Sequence, residues 1–162
     1  MARKQARKSD ESRPGSPRIR NRRATFDYHL LEKVECGMEL LGTEVKSLRA
    51  GNASLAGAYA RIRGGQVFLC GANIAEWPQA VGILQHEPVR DRRLLLHRRQ
   101  IHQLERHTAQ KGHTLIPLEI HFHAGWAKCV IATAVGKRSY DKRQAIQQRE
   151  HDRQVRRESR RR

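Results

Sequence analysis

The chain has 162 residues, 33 Lys and Arg against 16 Asp and Glu, and a formal net charge of +17. No apolar run approaches the length of a membrane span, and no apolar stretch follows the basic N-terminus as it would in a secretory signal. Cys36, Cys70 and Cys129 are widely spaced among apolar neighbours, which predicts reduced core thiols in a cytosolic protein rather than a disulfide frame.

The charge lies at the two ends. Residues 1–23 hold nine Lys/Arg against two acids, residues 137–162 hold eleven against four, and the stretch between them holds thirteen against ten. The net charge therefore divides as +7, +3 and +7. A nearly balanced middle can fold around a core, whereas two such arms repel themselves and suit a dense anionic partner. The Ser/Pro/Gly-rich stretch 9–17 offers neither an amphipathic face nor a lipid site, so a membrane surface is the weaker reading and a nucleic acid the stronger.

Residues 1–20 are expected to form a disordered basic arm, because they have nothing to bury that would offset the entropy of ordering. Tyr28 to Leu41 is rich in strand formers and reads as a strand bent at Gly37, or as two short strands. Thr43 to Leu48 reads as a short helix stopped by Gly51, with Leu55, Ala58 and Tyr59 continuing a helical face. Ala60–Arg63, Gly64-Gly65 and Gln66–Cys70 form a hairpin, since a two-residue turn needs positive backbone angles. Gly71 to Ile74 extends its second strand past a kink, and 77–88 is a loop. Leu94 to Leu96 follows a cluster of arginines. A helix begins at Arg98, presents Arg99, His102 and Arg106 to the outside, and is capped by Gly112.

Leu118, Ile120 and Phe122 alternate with Glu119, His121 and His123, and Ala124-Gly125 turns the chain into a strand from Trp126 to Val135. Hairpins with one or two short helices in so small a chain predict a mostly β fold, a closed antiparallel OB-like barrel over 21–136. Residues 137–162 lack Pro and Gly but carry like-charge pairs such as Arg149–Arg153 and Arg153–Arg157. Such a tail is expected to be disordered alone and helical against phosphates.

Candidate chemistry is sparse. His121, His123 and Glu119 share a strand face and were they to converge would suit a metal; a solvent-facing polar edge is the favoured reading, and no metal or cofactor is expected. Nothing local activates a cysteine, and none of the glycines lies in a phosphate loop. Arg90, Arg92, Arg93, Arg98 and Arg99 crowd one loop and helix start, more densely than solvation requires, and are read as phosphate contacts, with Lys46 and Arg49 extending the surface. Tyr28, Trp77 and Tyr140 are candidate base-stacking side chains.

Three stretches carry a resemblance: Gly42-Thr43-Glu44-Val45-Lys46-Ser47-Leu48-Arg49-Ala50-Gly51, Arg92-Arg93-Leu94-Leu95-Leu96-His97-Arg98-Arg99, and Gly136-Lys137-Arg138-Ser139-Tyr140-Asp141-Lys142-Arg143. In this order, over residues 21–155, the chain resembles the SmpB family of transfer-messenger RNA (SsrA RNA)-binding proteins. The resemblance implies an OB-like barrel with no catalytic role. It implies binding to the tRNA-like domain of that RNA and its delivery, alongside elongation factor Tu with GTP, to ribosomes stalled on messages without a stop codon. It implies a cytoplasmic protein with no DNA or membrane partner. By position it places Asn21, Tyr28, Glu35 and Leu95 at the RNA, with Asn73 and Lys128 on the same side. It sends the tail, through Gly136, Lys137, Arg138, Tyr140, Lys142, Arg143 and Arg149, into the decoding centre and the empty message channel. Position 138 is arginine where the family commonly has lysine, and 77–87 matches no firm signature. A ribosomal protein or generic OB-fold RNA binder is the competing class; a metal- or cysteine-dependent RNA-processing enzyme would need a clustered site that the spacing lacks.

Overall fold

The computed structural model describes residues 17–80 and 82–138. Its elements run in the order β1 (Ile19–Arg20), α1 (Ala24–Asp27), β2 (Tyr28–Met38), α2 (Gly42–Arg49), β3 (Ala53–Ser54), β4 (Tyr59–Arg63), β5 (Gln66–Cys70), β6 (Asn73–Ile74), β7 (Arg92–Leu95), α3 (Arg98–Thr108), β8 (His113–His123) and β9 (Trp126–Gly136). The fold is mostly β, built on a large antiparallel sheet of order β1-β8-β4-β5-β7-β2-β9, with short helices around it. β9 pairs with β2 on one side and with β8 on the other, and β8 also meets β4 at Leu115 and Ala60. A separate two-stranded sheet joins β3 to β6.

The core fills from alternate positions of these strands. Cys36, Val67, Leu69, Leu94, Leu115, Ile120, Phe122, Cys129 and Ile131 are buried together with Leu48 of α2 and Leu104 of α3. α2 and α3 each contribute one fully enclosed leucine, as expected for short amphipathic helices covering a sheet. The hairpin at Gly64-Gly65 forms as its sequence predicts, with φ of 58° and 67°. His97 begins α3, its backbone N–H donating to the Gln100 carboxamide at 2.9 Å.

Several expectations need correction. β1 lies inside the stretch that composition assigns to the arm: Ile19 is buried against β8, and one apolar side chain between Arg18 and Arg20 suffices to recruit that segment. β2 is unbroken at Gly37; its irregularity lies between Leu30 and Lys33. Gly37 instead sits where β2 is flanked by both β9 and β7, and a Cβ there would meet Leu95 at 3.4 Å. Leu55 to Ala58 is a turn rather than a helical continuation, because Gly57 takes φ of 75° and Tyr59 opens β4. Residues 73–74 leave β5 at Gly71 and pair with β3 instead of extending the hairpin. α3 ends at Thr108 with Ala109 as its cap, so Gly112 belongs to the following turn. The register of β8 shifts between Pro117 and Glu119, so Leu118 packs with a second small cluster of Ala24, Ile116 and Ala134 rather than beside Ile120.

The 77–88 segment has no long element but is tied at both ends. Gln85 accepts from the Trp77 N–H at 3.1 Å and donates to its carbonyl at 2.9 Å. Buried His86 donates from Nε2 to the Ile74 carbonyl at 3.0 Å and bonds the Thr43 hydroxyl through Nδ1 at 2.9 Å.

Candidate nucleic-acid interface

Strand register decides which predicted residues meet. Leu95 of β7 lies opposite Gly37 of β2, Gly37 opposite Lys128 of β9, and Lys128 opposite His121 of β8. Their inward neighbours Leu94, Cys36, Cys129 and Ile120 are buried. By alternation, then, Leu95, Lys128 and His121 form one row across the outer face. Glu35 stands in the next row, opposite Val130, with Glu119 beyond it. His121 reaches across: its Nε2 is 3.3 Å from the Glu35 carboxylate, while its Nδ1 is 3.6 Å from Glu119. Glu119 also pairs with Arg20 of β1 at 3.4 Å. Glu35 and Leu95 are both half exposed, so an acceptor and an apolar side chain are available to a ligand on the same face.

Beside Leu95 runs a groove of about 760 Å³ between the Gly64-Gly65 turn, β7 and α3. Arg93 and Arg98 stand on its walls with His97 and His102. Arg93 is partly engaged by Glu39 at 2.6 Å but stays exposed, the geometry of a cation that can exchange one anionic partner for another.

Arg92 corrects the reading of this arginine cluster. Its side chain is fully buried. It bonds Glu44 at 2.8 Å and donates to the carbonyls of Ala72 at 2.7 Å, Arg90 at 3.0 Å and Pro88 at 2.9 Å. Arg90 binds the same carboxylate through Nε at 2.9 Å and Nη2 at 2.7 Å. Arg92 therefore joins α2, the 72–90 loop and β7 from inside and has no face to offer a phosphate. Burial pushes the Glu44 carboxyl up, but Arg90, the Leu41 N–H at 2.7 Å and Arg92 outweigh it, and the net shift is downward.

Asn21 and Tyr28 lie at the other end of β2. Asn21 is occupied within the fold: it donates to the Pro117 carbonyl at 3.1 Å and accepts from the Ala24 N–H at 3.2 Å. Tyr28 packs against Ala24, Ile116 and Ala134 and lines a cleft of about 500 Å³ with Asn21, Arg23 and Tyr59. Tyr28 and Glu35 lie seven positions apart along the strand, roughly 20 Å. Lys46 and Arg49 are exposed on α2, with Arg49 over the Phe122 ring at 5.6 Å. Asn73 is exposed on β6.

Gly136 pairs with Tyr28, and Lys137 is drawn back to α1, its N–H donating to Asp27 and its ammonium to the Thr25 carbonyl, both at 2.9 Å. Arg138 is exposed at the end of the described chain. Tyr140, Lys142, Arg143 and Arg149 lie outside the described residues. Trp77 is half-buried in its bracketed loop. Among the described residues no group of three or more His, Cys, Asp or Glu is arranged to hold a metal, and no helix is long and apolar enough to cross a membrane. Sequence reasoning missed His121 as the partner of Glu35; only its place on the same strand face as Glu119 hinted at it.

The family model described as SmpB protein matches residues 18–161. The chain belongs to the SmpB family. An SsrA-binding protein of Thermobifida fusca is 46% identical to this SmpB-family chain over 162 residues, covering 100% of it and 99% of the relative. One from Corynebacterium urealyticum is 46% identical over 158 residues, covering 96% and 88%. A chain of the solved structure described as "tmRNA-SmpB: a journey to the center of the bacterial ribosome" is 41% identical. It superposes with a TM-score of 0.65 over 81% of the SmpB-family chain and 95% of its own.

Proposed function

We propose that this SmpB-family protein is a non-enzymatic adaptor. It binds the tRNA-like domain of transfer-messenger RNA and delivers it, with elongation factor Tu and GTP, to stalled ribosomes in the cytoplasm for trans-translation, tagging and rescue. The observation that carries the reading is the outer row of Leu95 and Lys128 with Glu35 beside it, in a chain whose relatives along its full length are SsrA-binding proteins. An apolar contact, a cation and a carboxylate on one rigid sheet suit a folded RNA loop: the cation meets a phosphate, and the carboxylate accepts from a guanine edge or holds an arginine. Asn21 holds the turn that presents Arg23 and Tyr28 to a second part of the same RNA. The unbroken pairing β8–β4–β5–β7–β2–β9, with β9 returning to β8, supports a closed OB-like barrel as the platform. Gly136 to Arg143, and Arg149 beyond, act in the ribosome rather than at the RNA.

The test is binding of the full chain to a transcript of the tRNA-like domain. Glu35→Ala removes an acceptor worth about 1.5–3 kcal/mol to a charged donor, a loss of roughly 10- to 150-fold in affinity. Leu95→Ala and Lys128→Ala also weaken binding, the latter with a shallower salt dependence. Wild-type affinity in all three variants would reject this interface.

A further inference from the structure

The outer face that carries Leu95, Lys128 and His121 does not end with them. One step further along the β8–β9 hairpin, His123 lies opposite Trp126, and alternation puts both on the same side as His121 and Lys128. Ala127 and Cys129, the intervening positions, point to the core. Trp126 is 74% exposed, while Phe122 beside it is buried. Exposing so much of an indole is costly unless something covers it. The turn that carries it is tight: Ala124 takes φ of 49° and Gly125 φ of 83°, so the indole stands on a short, defined hairpin rather than on a long loop.

Its surroundings select the partner. Lys128 lies two residues along the same face, and His123 is directly across. A flat aromatic surface beside a lysine, continuous with a proposed RNA-binding row, suits an unpaired nucleobase with a phosphate next to it. A purely apolar protein partner would bring no use for that lysine.

We propose that Trp126 is a base-stacking residue: it covers an unpaired nucleobase of the bound RNA, with Lys128 meeting a flanking phosphate. This rests on the RNA-binding role proposed above and extends that surface to the hairpin tip.

The experiment uses the full-length protein and a tRNA-like-domain transcript. The chain has two tryptophans, so Trp77→Phe leaves Trp126 as the sole indole reporter. Titrating the transcript into that variant should quench its emission in step with binding. Trp126→Ala should weaken binding about 5- to 150-fold, the range for losing one aromatic stack on a base. Trp126→Phe should recover most of that loss. The loss from Trp126→Ala should leave the salt slope unchanged, unlike that from Lys128→Ala. Tight binding by the wild type, with no quenching and with Trp126→Ala at wild-type affinity, overturns this inference alone. Quenching that appears only when ribosomes are added, with RNA affinity unaltered in Trp126→Ala, overturns it in favour of a ribosomal contact. A wild-type chain that fails to bind the transcript overturns the proposed function and this inference together.

Discussion

Glu44 sits in the interior facing two arginines, one of them fully enclosed. Removing such a carboxylate strands a buried cation, which costs about 3–5 kcal/mol. Glu44→Gln should therefore lose stability of that order in urea denaturation at neutral pH. The wild-type pH dependence follows from the lowered carboxyl. The folded state binds its proton less readily than the unfolded chain, whose ordinary value is 4.5, so the contribution is complete above that value. It fades as pH falls below 4.5 toward the folded value, and Glu44→Gln should show a shallower loss over the same acid range. The cysteines behave differently. Burial and the nearby Asp91 carboxylate push the Cys70 thiol up to about 11, and Cys129, in the core, is held well above the ordinary thiol range by its neighbour Cys36 and by burial. These are protonated packing groups at neutral pH, as their apolar neighbours in sequence suggest.

At the scale of elements, turns were the most legible feature and partner choice the least. Gly64-Gly65 announces its hairpin because few other residues accept φ near +60°. Gly64→Ala and Gly65→Ala should each cost about 1–2 kcal/mol in chemical denaturation, the penalty for an L residue in the left-handed region. Gly37→Ala is the control: Gly37 has no positive φ, and a methyl would only reach contact with Leu95, so it should change stability little. Reading a bend at Gly37 failed because a glycine can serve close approach as well as curvature, and here β7 comes in beside it. The alternation of β8 was read correctly from Glu119 onward, but the bulge after Pro117 moved Leu118 to a different cluster. Pro117 lacks an N–H for the ladder, which is a local reason for the slip.

On the scale of the whole molecule, the charge division matches the two proposed tasks, RNA binding by the folded middle and ribosome engagement by the tail. A chain ending at Arg138 keeps Lys137 tied to α1 and the outer row intact. It should bind the tRNA-like domain within a few-fold of the full chain at moderate salt, with a reduced salt slope, yet fail to support tagging in a reconstituted translation assay. Full tagging by that truncation would reject the proposed role of the tail.

The sequence by itself determined the charge partition, the positions of the hairpin turns, the reduced core thiols and, through three long motifs, the family. Each of these is local: a turn glycine, a charge run or a contiguous motif needs no distant partner to be read. Only the tertiary structure decided that Arg92 is interior while Arg93 is outside. Adjacent residues on a strand face opposite ways, and only pairing tells which face is covered. Tertiary structure likewise set Leu95, Lys128, His121 and Trp126 on one surface. These residues come from three strands, and their meeting depends on cross-strand register rather than on anything written at any one position.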